Sequence, residues 1–159
     1  MKIIFMGNSE IACPILNVLK KSKHQILSVV SNSPKALGRG MTYQYTPVGK
    51  LANKLDLKLI SVDSLKNKQF ISTIEKLQAD LHLLINTEKL PAETYKKNKI
   101  LIIDGEKDKI VIPIVRNQLL NELKQQLAKS PEYWLVKGEG HVILLQKIIE
   151  QTRNWLEST

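Results

Sequence analysis

A chain of 159 residues, 43% hydrophobic and 25% charged, can bury one sizeable core, and its composition excludes disordered, collagenous and membrane-embedded classes. Cys13 is the single cysteine, which excludes an intrachain disulfide; no run resembles a signal peptide or a membrane span, so the expectation is a soluble cytoplasmic protein that engages no membrane. The net charge of +9 fits either attraction to RNA or lysines solvated on helix faces and loops. Lys20-Lys21-Ser22-Lys23 and Lys96-Lys97-Asn98-Lys99 lie at element junctions without aromatic or arginine interleaving, which favours the second without excluding the first.

Lys2 to Met6 is a short β-branched and aromatic run ending at Gly7, as a buried strand would. Ile11, Pro14, Ile15, Val18 and Leu19 then recur at helical spacing, with Pro14 in an early turn where a missing N–H does least harm. His24 to Ser31 reads as a second strand, and Asn32 to Thr46 as the longest loop. A helix is expected from Pro47, with Val48, Leu51, Ala52 and Leu55 on one face. Leu57 to Val62 gives a third strand, Ser64 to Gln78 a helix, Leu81 to Ile85 a fourth strand, and Pro91 to Lys97 a short helical connection.

Ile100 to Ile103 is a fifth strand, wholly apolar, and Ile114 to Lys129 a long amphipathic helix. Tyr133 to Val136 is a sixth strand, and Val142 to Leu156 a closing helix. Strands alternate with helices, and most strand runs are apolar on both faces. That pattern implies an α/β, Rossmann-like three-layer sandwich with a mainly parallel sheet, in the order 3-2-1-4-5-6. No repeat or linker interrupts it, so residues 1–159 are expected to form a single domain. No metal ligand set stands out.

Ile3-Ile4-Phe5-Met6-Gly7 with Glu10, the Gly38-Arg39-Gly40 loop, Thr46-Pro47-Val48, Ala79-Asp80-Leu81 and Leu90-Pro91 occur in this order. On these motifs, residues 1–96 resemble the amino-terminal half of methionyl-tRNA formyltransferase. The resemblance implies formyl transfer from 10-formyltetrahydrofolate to the methionine of initiator tRNA. It also implies a small-molecule ligand crevice that includes Gly7, Asn8, Ser9 and Arg39. The glycine turn itself lets a strand enter a helix whose free N–H groups can bind an anion. Gly7 as a bare turn and Arg39 as a solvated charge is the plainer reading. The family's Asn-x-His and Ser-Leu-Leu-Pro segments do not follow Leu90-Pro91. Folate would therefore matter only if the front site survives, and the acid/base pair for formyl transfer is missing.

Ile100-Leu101-Ile102-Ile103, Gly105-Glu106-Lys107-Asp108, Val111 with Pro113, and Gly138-Glu139-Gly140-His141 carry a second resemblance. From about Lys99 to Leu156 the chain resembles the carboxy-terminal part of α/β-hydrolases of the prolyl-oligopeptidase type. That resemblance implies an Asp108–His141 pair serving a serine. No Gly-x-Ser-x-Gly elbow occurs. Ser9 stands near the elbow position if the first strand replaces the hydrolase nucleophile strand, giving Ser9, Asp108 and His141 as a catalytic set. Ile11 replaces the second elbow glycine. The chain thus reads as a chimera, recombined or engineered, of a formyltransferase-like segment (1–97) and a hydrolase-like segment (98–159). It keeps no complete native active site. A small-ligand binding module and a weak serine esterase are the two alternatives.

Overall fold

A computed structural model describes residues 1–37, 41–85, 99–105, 121, 132–136 and 145–158. Its strands are β1 (Lys2–Gly7), β2 (Gln25–Asn32), β3 (Lys35–Leu37), β4 (Thr42–Gln44), β5 (Leu59–Val62), β6 (Leu81–Ile85), β7 (Lys99–Gly105) and β8 (Glu132–Val136). The helices are α1 (Ala12–Lys20), α2 (Pro47–Lys54), α3 (Lys68–Lys76) and α4 (Leu145–Ser158).

The six runs read as strands from the sequence form one parallel sheet in the order β5-β2-β1-β6-β7-β8. In chain order of those six runs this is 3-2-1-4-5-6, a Rossmann-like α/β arrangement. The detail that differs is an additional hairpin. Lys35–Leu37 pairs antiparallel with Thr42–Gln44 inside the stretch expected to be loop. Two three-residue strands are too short to carry a readable alternation, and Tyr43 and Met41 are exposed rather than core-facing.

Alternate residues of each central strand feed opposite faces. Ile3, Phe5, Leu81, Leu83, Ile85, Leu101 and Ile103 join Ala12, Ile15, Leu16 and Leu19 of α1, Val48 and Ala52 of α2, and Leu156 of α4. Ile4, Met6, Leu84, Ile100 and Ile102 join Phe70 and Ile74 of α3 on the other face. Both segments therefore contribute to both cores. The parts of the chain before residue 86 and after residue 98 meet along the β6–β7 ladder, where Leu83 pairs with Leu101 and Leu84 with Ile102.

Helix starts follow side-chain caps where they exist. Thr46 Oγ1 accepts from Gly49 N at 2.9 Å, with Pro47 opening α2. Helix α3 begins later than Ser64 because Asn67 Oδ1 accepts from Gln69 N and Phe70 N at 2.9 and 3.1 Å. Ser64 instead closes a local turn by accepting from Lys66 N. Asn121 is helical, while the rest of the helix expected at Ile114 to Lys129, and the Pro91 to Lys97 connection, lie outside the described residues.

Candidate ligand site at the carboxyl edge of the sheet

Gly7 ends β1, and Asn8 to Ile11 turn the chain into α1. A Cβ at Gly7 would stand 2.9 Å from Ala12 Cβ and 3.4 Å from Phe5 Cε1, so close approach of turn and helix is what requires glycine. No side chain caps α1. Its entry is closed by backbone instead, Ala12 N donating to Ser9 O and Cys13 N to Glu10 O, each at 3.1 Å. The Ser9 hydroxyl oxygen is buried and has no hydrogen-bond partner among the described residues.

Asn8 fixes the turn to its neighbours. Its Oδ1 accepts from Ser31 Oγ at 3.0 Å and from Asn32 N at 2.8 Å. Ser31 Oγ lies 2.5 Å from Thr46 Oγ1. Because Ser31 donates its one proton to Asn8, Thr46 must donate to Ser31 while accepting from Gly49 N. The result is a directional chain from the amino end of α2, across the tip of β2, to the β1–α1 turn. Such chains polarise one another and hold their members in place.

Two titratable groups near this framework are chemically quiet. The Cys13 thiol is pushed up from its ordinary value by burial first and by the Glu10 charge second, so it stays protonated and a poor nucleophile. His82, at mid-sheet between Ile4 and Ile100, is pushed down to about 4 by burial and is neutral at pH ~7. Nothing in the local pattern singles out His82, since one histidine within Leu81-His82-Leu83-Leu84-Ile85 carries no motif.

Of the residues expected at a site, Gly7, Asn8 and Ser9 are brought together at the carboxyl edge. Gly7 pairs with Ile85 at the point where the strand order reverses, with β2 on one side of β1 and β6 on the other. That switch point is where open α/β sheets form a ligand crevice. Gly105 and Val136 end β7 and β8 at the same edge. Arg39, Asp108 and His141 lie outside the described residues. Among the described residues, no group of three or more His, Cys, Asp or Glu could hold a metal, and no helix is long and apolar enough to cross a membrane.

No protein-family model matches the chain. Among curated proteins, it is 35% identical over 92 residues to methionyl-tRNA formyltransferase of Flavobacterium psychrophilum, covering 57% of this chain and 29% of that protein. The Orientia tsutsugamushi enzyme of the same name is 40% identical over 81 residues, covering 51% and 26%. The chain thus spans less than a third of the length of these relatives. Among solved structures, a predicted CIB-like hydrolase from Thermoplasma acidophilum matches 99% of this chain and 86% of its own, with a TM-score of 0.53 at 17% identity. Esterase PE8 matches 99% and 91%, with a TM-score of 0.54 at 16% identity. About half of the chain is therefore similar to formyltransferases in sequence, while the whole chain is similar to α/β-hydrolases in fold.

Proposed function

We propose that this chain is a two-part fusion, recombined or engineered, whose β1–α1 turn is a small-ligand site without formyl-transfer activity. The observation that carries this reading is the Gly7–Ile85 pair at the switch point of the sheet, followed by a turn that Asn8 locks in place. The missing Cβ leaves the turn close-packed on α1, and the Asn8 clamp removes the entropy of ordering it on binding. A folate- or nucleotide-like molecule is the class such a turn accepts. The described residues fit binding better than transfer: Asn8 Oδ1 is already committed to Ser31 and Asn32, and the neutral His82 lies within the sheet. No acid/base pair faces the turn among the described residues.

Thermal unfolding with 5-formyltetrahydrofolate or ADP tests this. A ligand present at about 100 times its Kd raises stability by about 2.7 kcal/mol, and Gly7→Val should abolish that rise. Unchanged melting with both compounds would mark the chain as an inert scaffold.

A second reading is a weak esterase using Ser9, Asp108 and His141. It draws on the lateral order β1, β6, β7, β8, which matches the nucleophile, intermediate, acid and histidine strands of a hydrolase. The buried Ser9 Oγ weighs against it, since an attacking hydroxyl must reach solvent-borne substrate. Hydrolysis of a p-nitrophenyl ester that persists unchanged in Ser9→Ala would sink this reading; loss of hydrolysis would support it.

A further inference from the structure

The opposite, amino edge of the sheet holds a cavity of about 370 Å³ between the end of α1, the α1–β2 connection and the last turns of α4. Val18 and Leu156 give it an apolar floor, and Lys21, Lys23, Arg153 and Glu157 line its rim. Its back wall is tightly tied. An ammonium can only donate, so the Met1 amine donates to His24 Nδ1 at 3.1 Å, and His24 Nε2–H therefore donates to Leu156 O at 2.8 Å. Ser22 Oγ accepts from His24 N at 3.3 Å and donates to Leu19 O at 2.7 Å, which fixes the connection to α1.

The rim cations are not equivalent. Lys23 Nζ is spent on the Glu157 carbonyl at 3.5 Å, capping α4. The Lys21 ammonium and the Arg153 guanidinium have no hydrogen-bond or ion-pair partner among the described residues. Two helices also end here, each contributing roughly half a negative charge. With three side-chain cations and one carboxylate lining it, the cavity keeps a net charge of about +1 after both helix ends are counted. Capping two helix ends does not account for all of that charge.

We propose that this amino-edge cavity binds a small organic phosphate monoester. The phosphoryl group sits between Arg153 and Lys21, and the apolar body lies on Val18 and Leu156. The planar guanidinium fork suits two phosphate oxygens, and Lys21 adds a point charge. The volume falls at the small end of ligand sites, so one ring plus one phosphoryl group is the size that fits. This site is independent of the carboxyl-edge reading.

Isothermal titration with phenyl phosphate, inorganic phosphate and phenol tests it. Phenyl phosphate should saturate one site, about tenfold tighter than inorganic phosphate, because the ring buries apolar surface. Phenol should not bind measurably. Arg153→Ala and Lys21→Ala should each weaken phenyl phosphate about tenfold, as loss of a charge-assisted hydrogen bond does. Glu157→Gln should tighten it, and Lys68→Ala, on an exposed residue of α3, should change nothing. Equal loss in Lys68→Ala and Arg153→Ala would reveal diffuse charge attraction and overturn the proposal. So would phenyl phosphate binding no better than inorganic phosphate, or no saturable binding. Both lysines and Arg153 are exposed, so these variants keep the fold, which unchanged melting temperatures check.

Discussion

The two edges of the sheet use polar residues in opposite ways. At the carboxyl edge, Asn8, Ser31 and Thr46 spend their hydrogen bonds on one another and on the backbone of β2 and α2. At the amino edge, His24 is fully engaged, yet Lys21 and Arg153 line a cavity with no partner among the described residues. The first arrangement builds a rigid turn whose use depends on shape and backbone. The second leaves charge available to a ligand. A polar residue at an expected position can thus be scaffold, while a lysine run that looks like a solvated junction can border a site.

The strongest test acts on β6, which both edges share. His82 titrates near about 4 in the folded chain against 6.5 when unfolded, so between those values only the unfolded chain takes up the proton. Stability is therefore fully present above the unfolded value, and roughly 3 kcal/mol is lost as pH falls toward the folded one. Urea unfolding at pH ~7 and ~4.5 should show most of that loss in the wild type and little of it in His82→Leu. An equal acid loss in His82→Leu would assign it to other groups.

At the carboxyl edge, Gly7→Ala should cost about 2 kcal/mol, since its methyl must displace Ala12, and chemical denaturation would measure the drop. Asn8→Ala should cost about 1.5 kcal/mol by stripping Ser31 and Asn32 N of their acceptor. If Asn8→Ala is neutral, the proposed rigidity of that turn fails and the contrast between the edges narrows. The smallest effect is a gain. Gln78 holds φ of 48° just beyond α3, so Gln78→Gly should stabilise by about 0.5–1 kcal/mol while leaving both the Gly7 turn and the amino-edge cavity unchanged.

The strands were legible because Ile3-Ile4-Phe5-Met6 and Leu81 to Ile85 are apolar on both faces, the mark of a covered parallel sheet. Their order followed from assuming Rossmann-like connectivity for alternating strands and helices. The β3–β4 hairpin was not legible, because each strand is three residues long and Lys35, Ala36 and Thr42 to Gln44 are exposed. Of the candidate site, Gly7 could be read from its place after a strand. The partners of Asn8 could not, because Ser31 and Thr46 are ordinary small polar residues until tertiary structure joins them. The amino-edge cavity was equally hidden. Lys21 and Arg153 are far apart in sequence and meet only when α4 packs on α1.

The indole pair has a practical consequence for judging the proposed join between the two segments. Trp134 of β8 and Trp155 of α4 meet edge to face, with ring centroids 6.1 Å apart, and they are the chain's only two tryptophans. Both lie after residue 98, so indole emission is a gauge restricted to that part of the chain. Backbone circular dichroism weighs the helices and strands of both parts. Superimposed emission and dichroism curves would mean that the β6–β7 ladder makes the segments unfold as one cooperative body. Separated midpoints would give each side its own transition, resolved without adding a label.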